Sequence, residues 1–436
     1  MWNGQQTIAL NKHVADGLRF RNKMANALLK NIPELIGLRT QFVHLYVRDK
    51  TGNNPDEFED YGLFTQVEQP NGKMLQAHGL SKFGDLYKVN FFEFYRYEDV
   101  IMDRSDPRYD QAAFEFYLEP KTNNNHKKLI EMLDALNDVS IPIEYLFGKY
   151  FDMENIVYWM AFEILIGNDD TQSHNIYIYS PLNNSMWYII PWDYDGILYR
   201  REYEIKTSIQ DQSWEVGISN YWGNNLFQRC LKNDEFRIEL DRVIEEMRKT
   251  VLTEENIKNY AEKYAEVVKP YVYSMPDIFN TRLTEEDYDL VVESLPDETV
   301  INYMLYKESL HKPMPFFIAL PEKVASENSD NPQLLISWQP SYSFEETNIR
   351  YSVELSNEVD YSNILFSQDN VLIPEVYTDM PEPGMYFLRV RAVDDEGRTQ
   401  DAFDYYVTPE STKVYGTFAF HVLVDGSIQA EVQVDG

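Results

Sequence analysis

Gly167-Asn-Asp-Asp-Thr-Gln-Ser-His-Asn175 and Ile190-Pro-Trp-Asp-Tyr-Asp-Gly196 are the two stretches on which the reading of this chain turns. Ahead of the first, residues 153–166 carry Ile156, Trp159, Met160, Ile164 and Leu165, a density of apolar residues that predicts a largely buried helix. Two short strands are predicted next, over residues 175–179 and 186–190, joined by the turn-forming Pro181-Leu-Asn-Asn-Ser185. A hairpin of this kind brings together the loop before its first strand and the loop after its second. One loop carries Asp170, with Asn175 five positions on; the other carries Asp193 and Asp195.

Acids and amides gathered in this way suit phosphoryl transfer. Its transition state spreads charge over phosphate oxygens, and hard Mg²⁺, held by the oxygens of Asp and Asn, neutralises that charge. A further Asp must orient or deprotonate the attacking hydroxyl. Protein kinases place such a set as Asp-x-x-x-x-Asn, then a hairpin, then an Asp beside Gly. Asp170 and Asn175 have that spacing, and Asp195 stands beside Gly196, though not in Asp-Phe-Gly. Two blander readings compete. One is a hydrogen-bonded Asx-turn cluster at strand ends. The other is a calcium loop, a poor fit because the glutamate of an EF-hand's last ligand position is absent.

Working outward, residues 18–30 put Leu18, Met24, Ala25, Leu28 and Leu29 roughly on one helical face, with Asp16 as a plausible N-cap. Residues 41–48 and 61–68 alternate as strands of an antiparallel hairpin with a long loop, and 85–89 is another extended piece. Residues 126–137 are predicted helical. Residues 226–310 read as acidic amphipathic helices, one of them starting at Thr253-Glu-Glu255. Past Lys312-Pro-Met-Pro315 the texture becomes all-β. Strands over 334–338, 350–355, 385–392 and 404–408 favour a small sandwich over 316–410, with 411–436 as a β-rich tail or the start of a further module.

Composition narrows the function classes. The chain has 436 residues, 39 basic against 72 acidic, for a net charge of −33. Phosphate-bearing partners are repelled by such a chain, so nucleic acid and anionic membrane are poor partners; the bland reading of the charge is solubility, and the sharper one is affinity for cations or basic polypeptides. The single cysteine, Cys230, excludes an intrachain disulfide and a cysteine-based zinc site, and reads as a buried structural thiol. No apolar run reaches the ~20 residues a membrane helix needs, and no signal peptide is visible at the N-terminus. Gly-x-Gly-x-x-Gly, Gly-x-x-x-x-Gly-Lys, Gly-x-Ser-x-Gly and His-x-x-x-His are all absent. His174, beside Asn175, reads as a hydrogen-bonding loop residue, and Trp159, Trp187 and Trp192 as core or cleft packing.

The residues resemble the spore coat protein H (CotH) kinase family over roughly residues 7–280. Asp16-Gly-Leu-Arg-Phe-Arg-Asn-Lys-Met-Ala25 resembles its Leu-Arg-Asn-Lys-Leu-Ala helix, with residues inserted. Tyr61-Gly-Leu-Phe-Thr-Gln-Val-Glu-Gln69 and Gly84-Asp-Leu-Tyr-Lys88 are similar to two further motifs, and the two acidic stretches complete an ordered set of five. The resemblance implies an α+β, atypical protein-kinase-like domain over 1–312 that uses ATP with Mg²⁺ or Mn²⁺ to phosphorylate serine in coat-type proteins. It implies Asp170 as the catalytic aspartate and Asn175 as a metal ligand. Asp193, with Asp195 as the alternative, is then the main metal-binding aspartate, and Lys88 and Glu68 lie at the nucleotide side.

The family also carries an upstream glycine-containing strand and a Lys-Lys-x-Tyr segment that nothing before Asp16 matches. The expectation is therefore an N-terminally incomplete form or a member lacking that element. A catalytically inactive kinase-like scaffold, acting as a spore-coat or cell-surface structural protein, is the alternative to an enzyme. The C-terminal region resembles a fibronectin type III module, with Trp338 as its core tryptophan, which favours a bacterial cell-surface, extracellular or spore-coat setting.

Overall fold

The helix and hairpin that flank the two acidic loops are both present in the computed structural model, which describes residues 4–51, 56–122, 125–206, 214–325, 331–410 and 412–431. The fold is α+β. Two compact units divide it: residues 1–209 with 224–304, and residues 210–223 with 305–436.

In the first unit, Met153–Ile166 is predominantly apolar, with Glu154, Asn155 and Glu163 its only polar residues, and is buried along nearly its whole length, as a helix without a polar face must be. Asp152 caps its start by accepting from Asn155 N–H at 3.0 Å. Gly167 ends it in the left-handed conformation, φ 61°, which glycine adopts without a Cβ clash. The hairpin follows as Ile176–Ser180 and Tyr188–Pro191, each strand end one or two residues later in the chain than the sequence pattern placed it. It forms half of an antiparallel four-stranded sheet in the order Leu118–Pro120, Asp85–Val89, Ile176–Ser180, Tyr188–Pro191. A second antiparallel sheet has Glu59–Val67 between Ala9–Asn11 and Thr40–Val47. Val67 of one sheet packs with Leu86, Tyr177, Tyr179 and Ile190 of the other, and Met74 and Leu75 of the short helix Gly72–Ala77 close that core.

Four helices fill the region read as acidic: Asn225–Lys232, Asp234–Thr250, Glu254–Val272 and Glu285–Ser309; the first departs from that reading, since it has no acid and carries Arg229 and Lys232. Thr253 caps the third, its hydroxyl accepting from Asn256 N–H at 3.1 Å. Asp16, by contrast, is not an N-cap. The N-cap position of helix Arg21–Leu29 is Phe20, whose side chain caps nothing; Asp16 lies further upstream, buried, where its carboxylate accepts from Arg21 N–H at 3.0 Å and forms an ion pair with the Arg21 guanidinium. Cys230 is a buried free thiol, and burial pushes its pKa far above the ordinary thiol value.

Apart from a separate two-stranded ribbon, Tyr405–Val407 with Lys413–Tyr415, the second unit has two facing sheets. One runs Ile364–Val371, Ile349–Ser356, Gly384–Asp394, Thr417–Val422, Ile428–Ala430, with Thr399–Asp401 beside Gly384–Asp394. The other runs Glu375–Asp379, Gln333–Ser337, Glu322–Val324. Pairing of Tyr351 with Ala392, Val353 with Val390 and Leu355 with Leu388 points all six inward, against Leu334, Ile336, Val376 and Trp338. The sheet continues past residue 410, because Thr417–Val422 pairs with Gly384–Asp394 from Val422↔Gly384 to Thr417↔Arg389. Residues 210–223 also belong to this unit, which contiguous ranges of sequence could not express. Among the described residues no helix is long and apolar enough to cross a membrane.

Candidate active site

Register decides where the two acidic loops lie. Ile176 is paired with Pro191, so Asn175, just before the one, and Trp192, just after the other, leave the sheet at the same end. Lys88 is the cross-strand partner of Tyr177, itself the partner of Ile190. Partners share a face of the sheet, and Trp192 packs edge-on against Tyr177 with ring centroids 5.5 Å apart. Both loops turn through left-handed backbone, at Asn175 (φ 58°) and Asp193 (φ 63°). Asn and Asp tolerate that region better than other side chains, and it is over-represented at functional sites.

The loop 192–196 holds Asp193 and Asp195 close to a residue from far up the chain. One ligand-type atom each of His13, Asp193 and Asp195 lies within 4.8 Å of the others. His13 Nδ1 is 3.2 Å from Asp195 Oδ2, while His13 Nε2 is buried without a hydrogen-bond partner. Asn22 donates from Nδ2 to Asp193 Oδ1 at 3.3 Å; its own Oδ1 accepts from Asn26 Nδ2 at 2.8 Å. Burial, and then the charge of Asp195, push the Asp193 carboxyl up to about 6, against the pull of His13 and Lys88; Asp170 adds to the rise. Two like charges facing one another in a partly desolvated pocket favour a cation between them. Carboxylate and amide oxygens are the donors that Mg²⁺ and Mn²⁺ take.

A buried ionic knot fixes this corner. Arg21, fully buried, donates from Nη1 to Asp16 Oδ1 at 2.6 Å and to Glu202 Oε2 at 2.5 Å, and from Nη2 to the Leu198 carbonyl at 3.1 Å. Arg21 and Asn22 are adjacent, so one turn of helix grips both the segment that follows Asp195 and Asp193 itself. His13 joins through its carbonyl, which accepts from Asp16 N–H at 3.1 Å.

The other expected residues are distributed unevenly. Asp170 lies in the turn Asp169–Thr171 with its side chain 61% exposed, 3.5 Å from His174 Nε2. Its field reaches Asp193, as does that of Lys88. Glu68 is elsewhere engaged. It is fully buried, hydrogen-bonded by the Arg39 guanidinium and by His78 Nε2 at 2.8 Å, with Gln5 Nε2 at 3.3 Å. Glu68 thus pairs with Arg39 and His78. Burial alone would raise its carboxyl, but the hydrogen bonds from His78 and Arg39 outweigh that and hold it at about 2.

His13, Arg21 and Asn22 were not foreseen as site residues. Arg21 and Asn22 lie inside a recognised motif, which is the signal that could have found them. His13 belongs to no pattern and is brought in by tertiary structure alone.

Two comparisons bear on this arrangement. Residues 1–303 match the family described as CotH kinase protein. The inner spore coat protein H of Bacillus subtilis (strain 168) is 24% identical over 280 residues, covering 63% of this chain and 71% of that protein. The match takes in His13, the Arg21–Asn22 helix and both acidic loops, and this chain belongs to the CotH kinase protein family.

Proposed function

We propose that the chain is a metal-dependent protein kinase that transfers the γ-phosphoryl group of ATP to a serine or threonine hydroxyl of a partner protein. The observation that carries the reading is the meeting of Asp193, Asp195 and His13 beside the loop of Asp170 and Asn175. In this reading Asp193 and Asp195, with the amide oxygen of Asn175, hold Mg²⁺ or Mn²⁺, and Asp193 is the main ligand. The ion supplies charge neutralisation for the phosphate oxygens. Asp170, the most open of the acids, orients the acceptor hydroxyl and takes its proton. Lys88 contributes positive charge toward the nucleotide phosphates. Glu68 holds Arg39 and His78 in place near the sheet end and acts on the nucleotide only through them.

The second unit is read as a fibronectin type III-like module around Trp338, serving as a spacer or partner-binding surface. The name of the Bacillus subtilis relative supports a spore-coat setting. The net charge of −33 favours a basic acceptor protein, and the serine-directed activity that the family resemblance implies would make that acceptor Ser-rich.

The test is a melting curve with Mg·ATP or Mn·ATP on the wild type and on Asp193→Ala. A ligand at 100 times its dissociation constant stabilises the folded state by about 2.7 kcal/mol. A metal-dependent rise in Tm that vanishes in the variant is expected. Asp170→Asn should keep that rise and lower phosphoryl transfer by about 10²- to 10⁴-fold, the usual loss on removing a general base. A folded wild type that shows no metal-dependent rise would leave the scaffold reading in its place.

A further inference from the structure

Glu163 lies within the apolar helix Met153–Ile166, entirely removed from solvent, and both of its side-chain oxygens are in use. Oε1 accepts from the Tyr194 hydroxyl at 2.6 Å, and Oε2 accepts from Asn168 Nδ2 at 2.8 Å. Tyr194 stands between Asp193 and Asp195, and Asn168 stands two residues before Asp170. Each donor therefore belongs to a different acidic loop, and each is itself buried. The backbone adds a third link, because the Glu163 carbonyl accepts from Asn168 N–H at 3.0 Å. Tyr194 is further steadied by the edge-on ring of Phe162, at 5.8 Å between centroids.

Packing alone does not explain an acid at this position. The neighbouring residues Met160, Ala161, Phe162, Ile164, Leu165 and Ile166 are apolar and buried, and an isolated carboxyl there is strongly disfavoured. Burial pushes the group up to about 8, although both hydrogen bonds oppose the rise. What the carboxyl does there, and an apolar residue could not, is bond to both loops at once.

We propose that Glu163 is a positioning residue that fixes the two acidic loops relative to one another, and with them the placement of Asp170 against the Asp193–Asp195 pair. The catalytic sense of this placement rests on the kinase reading above; the cross-loop brace itself does not.

The test uses the full chain with Glu163→Leu, Glu163→Gln and Tyr194→Phe, followed by hydrogen exchange in residues 167–175 and 191–196 and by titration with Mn²⁺ alone. Glu163→Leu should speed exchange in both segments at least tenfold, with the rest of the chain unchanged. Its Mn²⁺ affinity should fall about 10- to 100-fold, as when outer partners of metal ligands are lost. Tyr194→Phe removes one oxygen and should loosen 191–196 alone. Glu163→Gln should stay near wild type in both readouts, its oxygen accepting from Asn168 and its amide donating to the Tyr194 oxygen.

Unchanged exchange in both segments for the folded Leu and Phe variants overturns the proposal, and so does a uniform rise across the whole chain. Should the Leu variant fail to fold, Tyr194→Phe decides, and unchanged exchange in 191–196 overturns it. A wild type that takes up no Mn²⁺ sinks the metal reading instead, and the exchange pattern still decides the brace.

Discussion

Two buried glutamates show how environment, not residue type, sets an acid's behaviour. Glu68 is held at about 2 because, although burial opposes it, His78 and Arg39 hydrogen-bond its charged form. Glu163 is pushed up to about 8 by burial, with neutral donors as its only counterweight. The pH dependences therefore have opposite signs. Glu68 contributes stability that is complete above about pH 4.5 and is lost as pH falls toward 2. A drop from 4.5 to about 2 corresponds to roughly 3 kcal/mol. The Tm gap between wild type and Glu68→Gln should thus be large at pH 7 and narrow by pH 3. For Glu163 the unfolded chain gives up its proton near pH 4.5 and the folded chain only near 8, so wild-type stability falls across that window. Glu163→Gln has no such proton, and its Tm relative to wild type should climb between pH 5 and pH 8. A gap that stays flat with pH in either variant would contradict the corresponding assignment. Neither behaviour was legible in the sequence. The motif marks Glu68 as a functional candidate, but Arg39 and His78 reach it only through the fold. Glu163 reads from its position as one more residue of a buried helix.

Elements were more legible than partners, and the exceptions have physical causes. Met153–Ile166 was bounded correctly on its apolar run, and the structure adds the Asp152 cap at its start and left-handed Gly167 at its end. The acidic hairpin was placed within a residue or two because turn residues separate two apolar runs. Ile364–Val371 was missed because it is almost wholly exposed, so no alternation between core and solvent marks it. Asp16 was misassigned because an acid before a helix suits a cap as well as an ion pair, and only the arrival of Glu202 and Arg21 distinguishes them. Gly167 is where an element boundary becomes a functional constraint. A Cβ there would lie 2.6 Å from Asn302 Nδ2, which now donates to the Leu165 carbonyl at 3.1 Å. The left-handed backbone adds roughly 1–2 kcal/mol for any L side chain. Gly167→Ala should therefore lower stability by at least that amount in chemical denaturation and speed exchange at the start of the Asp170 loop. A loss within a few tenths of a kcal/mol would mean that Asn302 moves aside freely.

At the scale of the whole molecule, the family match ends at residue 303, next to the point where the second compact unit begins, yet that unit also claims residues 210–223 from within the matched region. The reason is aromatic. Trp214 packs edge-on against Phe403 and Tyr415, with centroids 5.3 and 5.9 Å away, and Trp222 meets Tyr342 and Phe344 at 5.3 and 5.6 Å. Glu215 accepts from the Tyr415 hydroxyl at 3.1 Å. A break at the Lys312-Pro-Met-Pro315 punctuation was the natural reading of the sequence, because nothing in residues 210–223 announces a partner so far along the chain. A chain cut at residue 312 should consequently fail for a local reason. Trp214 and Trp222 are only 5% and 4% exposed, and losing their partners uncovers on the order of 300–500 Å² of largely apolar surface. A patch of that size suffices for self-association. The cut chain should aggregate at concentrations where the full chain does not, as read by light scattering. Exchanging residues 210–223 for a Gly/Ser linker of equal length in the same cut chain should restore solubility. If both cut chains scatter alike, the stranded tryptophans are not the cause of the aggregation.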